Sequence, residues 1–277
     1  MSAIVSPGQW SAVRAAYDAA GQRFLDLAAT VAPQAMATKD WSVADTVAHL
    51  MTLSRMAVEV ARRQSSRAEL IAATTVDTVA GLNDALMGDF ATRDVPVLLK
   101  QIRAEMDELL RVTADATPTD TVAWLGGSRL SIAAVHAHMM NEFHIHGRDV
   151  ALATGTPWVV PAAEAVLFFD LFMIGIVRTG YGILLENGIA PPKGRVAVQF
   201  RSKYSQPVTM VVTDGVVSIE DPGRDVDVHV RFDPATLNQI MFGRVTKARA
   251  ALTGKIQVWG RRPWLLLPFL TYVHMPS

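Results

Sequence analysis

The spacing of apolar positions changes period once along the chain. Up to about residue 186 apolar side chains recur every three or four positions, the mark of helices with one buried face. From Arg195 onward they alternate or come in short β-branched runs, the mark of strands. The first helix opens at Ser6-Pro7, a serine cap with proline at the first helical position. It carries Trp10, Val13, Tyr17, Phe24, Leu25 and Leu27 to about Val31, and Pro33 stops it. A second helix runs from Ser42, which with Asp45 resembles a capping box, to about Arg63 and holds His49. Residues 64–78 are polar and ambiguous. Helical pieces follow over 79–90 and 96–112, the latter with Leu98, Leu99, Ile102, Met106, Leu109 and Leu110 on one face. Pro118 and Gly126-Gly127 mark a break before a proline-free helix through the histidine-rich stretch. Four main helices with short-to-medium connections describe an up-and-down bundle.

Thr156-Pro157-Trp158 and Pro161 end the histidine helix, and 162–186 reads as one long apolar helix closed by Asn187-Gly188. Strands are expected over 195–201, 207–213, 216–219, 225–232 and 255–259, with Asp214-Gly215 as a hairpin turn. Helices are expected from Asp233-Pro234 to about 242, over 246–253, and from about 262. Strands followed by helices suggest a small α+β unit, so the fold class is α+β. The domains expected are a bundle over 1–158, a connecting helix over 159–189 and an α+β domain over 190–277.

Composition narrows the function. Lys+Arg and Asp+Glu are both 26, a balance that favours neither nucleic acid nor an anionic membrane surface, and leaves a small molecule as the expected partner. The chain has no cysteine, which excludes disulfides, Cys-ligated zinc, iron–sulfur clusters and a cysteine nucleophile. The first residues have neither a basic stretch nor an apolar core, and the apolar run 165–177 is interrupted by Asp170 and too short to span a bilayer. A soluble cytoplasmic protein is expected.

Four of the seven histidines fall between His136 and His146. On a helix, His138, Glu142 and His146 form one line. The two histidines are eight residues apart, roughly 12 Å along the axis, too far to share an ion through bonds of about 2 Å. Glu142 and one of them can converge, with other ligands from elsewhere, and the spacing does not choose between them. His49 by itself reads as a core histidine. His136, His138 and His144 read as fillers of the pocket wall, and His229 and His274 are isolated.

A resemblance adds to this. Trp41-Ser42-x-x-Asp45-x-x-x-His49-Leu50 is similar to the opening of the second helix in the DinB-like metal-binding bundles. His146-x-x-Asp149 followed by Ala153-x-Gly155 resembles the closing motif of their mycothiol-dependent maleylpyruvate isomerase branch. The resemblance implies a divalent ion, usually zinc, on His49, Glu142 and His146, so it selects His146 over His138. Two imidazoles and a carboxylate leave a coordination position open, as catalytic zinc requires. Asp149 would accept the other N–H of a ligand histidine. The runs Phe232-Asp-Pro-Ala-Thr-Leu, Gly243-Arg244 and Ala251-Leu-Thr-Gly254-Lys-Ile-x-Val-x-Gly260 resemble sterol-carrier-type domains, a common C-terminal partner of this branch. Relatives usually continue Gly-Asp where this chain has Gly260-Arg261-Arg262-Pro263-Trp264, which bears on how the terminal helix packs. The run 264–270 would close an apolar tunnel or fill the domain core. Arg244 is the nearest match to an arginine that such relatives bring to the metal site, where it would clamp a substrate carboxylate. The activity implied is metal-dependent isomerisation or S-transfer with mycothiol or a related low-molecular-weight thiol, the thiolate attacking an electrophilic carbon. Two other readings stand beside it: a carrier of lipid or other apolar ligands with a vestigial metal site, and a hydrolase or cyclase using metal-bound water.

Overall fold

The computed structural model describes residues 5–88, 92–184, 188–223 and 225–273. Helix α1 (Pro7–Ala28) starts on a reciprocal box, with Ser6 Oγ accepting from Gln9 N–H and Gln9 Oε1 accepting from Ser6 N–H. Helix α2 (Val43–Ala61) repeats the device with Ser42 and Asp45, whose carboxylate also accepts from Arg93 at 2.8 Å. The ambiguous stretch forms the short α3 (Ala68–Ala73) and a single turn at Val76–Thr78, leading into α4 (Val79–Gly88). The end expected for that last helix, 89–90, lies outside the described residues. Next come α5 (Val95–Val112) and the long α6 (Ile132–Thr154). Helix α1 packs on α5 and α6, and α2 packs on the same two, which closes a four-helix ring around an apolar core.

The glycine break before α6 is a small hairpin, β1 (Thr121–Ala123) against β2 (Arg129–Ser131). Ser131 ends β2 and caps α6 by accepting from Ala134 N–H.

The apolar helix after Pro161 is shorter than the pattern indicated. It consists of α7 (Ala162–Leu167), a π-helical turn (Phe168–Met173) and α8 (Ile174–Thr179). Gly180 ends it at φ +112, a conformation that side-chain-bearing residues rarely adopt. The chain then doubles back over the β1–β2 hairpin, where Arg129 N–H donates to Gly180 O and Ile183 N–H to Gly126 O. Of the helix end expected at Asn187-Gly188, Asn187 lies outside the described residues.

The second part is a five-stranded sheet of β3 (Arg195–Ser202), β4 (Ser205–Thr213), β5 (Val216–Glu220), β6 (Val228–Phe232) and β7 (Ile256–Trp259), in the order β5-β4-β3-β6-β7. Among the described strands only β3 and β6 pair in parallel. Asp214 (φ +50) and Gly215 (φ +83) make the β4–β5 turn, both left-handed as a tight hairpin of this hand demands. One sheet face, including Val198, Phe200, Val212 and Val230, packs on Phe169, Ile174 and Phe269. Helices α9 (Pro234–Met241), α10 (Lys247–Leu252) and α11 (Leu266–Tyr272) complete the part. The 264–270 run splits: Phe269 is buried in the sheet core, while Trp264 and Leu267 are 67% and 66% exposed. Arg261 and Arg262 turn back onto the buried Asp227, which also accepts from Ala197 N–H, so α11 is anchored without the usual Gly-Asp step. Among the described residues no helix is long and apolar enough to cross a membrane.

The π-turn sets Asp170 in a half-buried position. Burial raises its carboxyl from 3.8 to about 7, partly offset by the Ser205 hydroxyl and the charge of Arg178. Between those two values the folded chain keeps a proton that the unfolded chain has lost, so this group makes stability fall as pH rises through that window. Asp170→Asn is therefore expected to stabilise the protein by on the order of 2 kcal/mol at pH 8, a partial share of the full shift, and to leave it unchanged near pH 3. Chemical denaturation at the two pH values checks this; equal effects at both would contradict it.

Candidate metal centre

Helix α2 places His49 at its buried face, and α6 places Glu142 and His146 one turn apart on the side that meets α2. One donor atom from each of the three side chains lies within 4.8 Å of the others, and all three residues are buried. The imidazoles of His49 and His146 stand edge to face at 5.0 Å, and His146 Nε2 is 3.4 Å from Glu142 Oε2. Burial, and after it the neighbouring His146, pushes the His49 imidazole down to about 3, so it is neutral. Burial alone would raise Glu142, but the hydrogen bond from His146 and the charges of His138, His146 and His49 outweigh it and hold the carboxyl well below its usual range. A neutral His49 imidazole beside an ionised Glu142 carboxylate matches the protonation states a divalent ion requires.

The donor set fits such an ion. Its atoms are close enough that small side-chain shifts bring them onto one centre with bonds of about 2 Å. The Nδ1 atom of His49 is buried without a hydrogen-bond partner among the described residues, a cost that coordination through it would relieve. His138 stays outside the three-residue cluster, as its two-turn offset from His146 dictates. It lines the same pocket instead, stacked on Phe172 at 5.1 Å, with Nδ1 3.7 Å from Glu142 Oε1.

The other two histidines of the stretch are not in the pocket wall. His136 donates from Nδ1 to Ile132 O at 3.0 Å and packs among Trp10, Tyr17 and Thr113. His144 faces Glu164 at 2.9 Å, beside Arg23. Both are core histidines, His136 held by its neighbours and His144 through Nε2 alone.

Above the cluster is a pocket of about 200 Å³ with walls from both parts of the chain, including Trp41, Trp124, Phe168, Phe172 and Phe242. Arg244 also lines it. Its guanidinium spans Asp149, with Nη2 2.7 Å from Oδ2 and Nε 3.3 Å from both oxygens, and Nη1 donates to Phe242 O at 2.6 Å. Asp149 therefore serves Arg244; at 3.8 Å from His146 Nδ1 it is too distant for the hydrogen bond expected of it. Phe168 and Phe172 belong to an apolar helix face wide enough to line a cavity, and Trp41 stands next to the Ser42 cap that starts the helix of His49; Trp124 and Phe242 carry no such signal in the sequence.

Residues 14–151 match the family described as the mycothiol maleylpyruvate isomerase N-terminal domain. The chain belongs to that family through its helical part. Two crystal structures of mycothiol-dependent maleylpyruvate isomerase, one of them a histidine-to-alanine mutant, align with 90% of this chain and 92% of theirs. Their identities are 11% and 13%, with TM-scores of 0.49 and 0.48. Sterol Carrier Protein 2 from Yarrowia lipolytica aligns with 24% of this chain and 62% of its own at 16% identity and a TM-score of 0.20. No curated protein matches the chain.

Within this mycothiol maleylpyruvate isomerase-type bundle, Gly147 lies directly after His146. A Cβ there would sit 2.2 Å from the indole of Trp158, whose Nε1 donates to His144 O at 3.1 Å. Gly147→Ala must expel that ring and is expected to cost about 1–3 kcal/mol. A red-shifted tryptophan emission together with a lowered melting temperature would show it; an unchanged spectrum would not fit.

Proposed function

We propose that this protein is a divalent-metal enzyme, with zinc as the ion, that uses mycothiol or a related low-molecular-weight thiol for isomerisation of, or S-transfer to, a small electrophilic substrate. The observation that carries this reading is the convergence of His49, Glu142 and His146 beneath a pocket, in a chain that is a family member and has no cysteine of its own. A divalent ion held by these three residues would act as a Lewis acid that favours thiolate over thiol at neutral pH. The remaining chemistry belongs to the protein. Trp41, Trp124, Phe168, Phe172 and Phe242 keep the pocket apolar, which strengthens every charge interaction inside it. Arg244, oriented by Asp149, presents a planar guanidinium at the same pocket and would hold a substrate carboxylate. The sheet part contributes Phe242 and Arg244 to this wall, a role that does not require it to carry a lipid.

The test is an isomerisation assay on a conjugated cis-dicarboxylate such as maleylpyruvate, with the metal-loaded full chain and mycothiol. Turnover that needs both thiol and metal supports the proposal. Turnover with metal but without thiol would replace it with the metal-water hydrolase reading, and metal-independent binding of lipid with no turnover would replace it with the carrier reading.

A further inference from the structure

A second cleft, of about 550 Å³, opens between the helical run 162–179 and the β3–β4 hairpin. It is separate from the metal pocket: the two share no lining residue. Asp170 enters it from the π-turn, Arg178 from the end of α8, and Lys203, Tyr204 and Ser205 from the hairpin.

The charges there are unmatched. Asp170 is half-buried; the Ser205 side chain hydrogen-bonds it and Arg178 acts on it through space, yet burial still raises its carboxyl to about 7. Arg178 and Lys203 are exposed and have no carboxylate within salt-bridge distance among the described residues; the Lys203 ammonium rests over the Tyr204 ring at 5.0 Å. An ionised carboxylate in such a place is costly unless a cation meets it, and an ammonium group brought by a ligand would do so. The two cations at the cleft mouth would accept an anion on the same ligand. Asp170 and Arg178 are eight positions apart, roughly 12 Å along a helix. Subtracting the reach of an arginine side chain leaves a span of dipeptide length.

We infer that this cleft is a second binding site, for a small zwitterion of dipeptide or ω-amino-acid size, with its ammonium on Asp170 and its carboxylate between Arg178 and Lys203. Recognition of both ends makes the site selective for molecules that carry both charges. It stands independently of the metal centre and of the thiol chemistry proposed there.

Calorimetric titration of the full chain with glycylglycine tests this, beside N-acetylglycylglycine, which lacks the ammonium, and glycinamide-capped glycine, which lacks the carboxylate. Glycylglycine is expected to bind wild type and His49→Ala equally. Each singly charged analogue should bind about tenfold weaker or less well still, as should Asp170→Asn and Arg178→Ala with glycylglycine, since each loses one charge-assisted contact. The Asp170→Asn fold is not in question, because that change removes a buried charge. No heat with wild type at millimolar glycylglycine would overturn the inference. So would equal binding of the analogues, or binding that survives Asp170→Asn and disappears in His49→Ala.

Discussion

His49→Ala and Glu142→Ala are each expected to purify without a divalent ion, and the wild-type chain with about one per molecule. The expectation follows from the number of protein ligands. Three side chains make the cluster, and no fourth histidine or carboxylate joins it among the described residues. Removing either His49 or Glu142 leaves two ligands, both then on one helix or split across two, and a two-ligand site loses affinity by orders of magnitude. Elemental analysis by mass spectrometry measures the occupancy, with near-ultraviolet circular dichroism to show that the core is intact. Metal retained in both variants would place the ion elsewhere. Metal absent from wild type even after zinc is offered would remove the enzyme reading altogether.

Arg244→Ala should destabilise the chain by about 3 kcal/mol, the scale for stripping one partner from a buried charge pair. Asp149 is 7% exposed at its side chain and takes its hydrogen bonds from Arg244, which is itself 25% exposed. Without the guanidinium, a carboxylate is stranded between the bundle and the sheet part. The effect is not one of charge number alone, and Arg244→Lys should recover only part of the loss because an ammonium cannot span both carboxylate oxygens. Asp149→Asn combined with Arg244→Ala should cost less than Arg244→Ala alone, since the stranded charge is gone. Urea denaturation of wild type, Arg244→Ala, Asp149→Asn and the double variant gives the coupling; strict additivity would show that the pair contributes nothing. If Arg244 also holds substrate, the double variant regains stability without regaining turnover.

Local chemistry made much of this structure legible in the sequence. Ser6 and Ser42 announce their helices because an exposed N–H needs an acceptor at a fixed offset, and Asp214-Gly215 announces its hairpin because few residues accept left-handed geometry. The line of Glu142 and His146 was visible from helical spacing, but spacing could not prefer His146 over His138. That choice depends on which turn of α6 faces His49 on α2, a property of packing between segments almost a hundred residues apart. The π-turn left no trace, since an apolar run such as Phe168-Phe169-Asp170-Leu171-Phe172 suits either hydrogen-bonding register. The early stop at Gly180 was hidden for a similar reason: a glycine inside an apolar pattern is tolerated in a helix until a neighbouring hairpin demands that the chain reverse. Phe242 and Trp124 escaped notice because nothing local distinguishes a pocket wall from a core.

The π-turn also has a consequence for how this chain tolerates change in length. It holds more residues per turn than the helices on either side of it, which amounts to a surplus residue taken up without breaking the run. Its side chains are dealt out in three directions: Phe168 and Phe172 to the metal pocket, Phe169 to the sheet core, Asp170 to the second cleft. Deleting one residue there would restore an unbroken α-helix and leave what lies beyond it close to its present register, because the wide turn had already absorbed the surplus. Ile174 would stay on the sheet and Arg178 at the cleft, while the side chains of the turn itself would be redistributed. In this segment a single-residue deletion acts locally, on the four side chains that the turn divides among the three compartments.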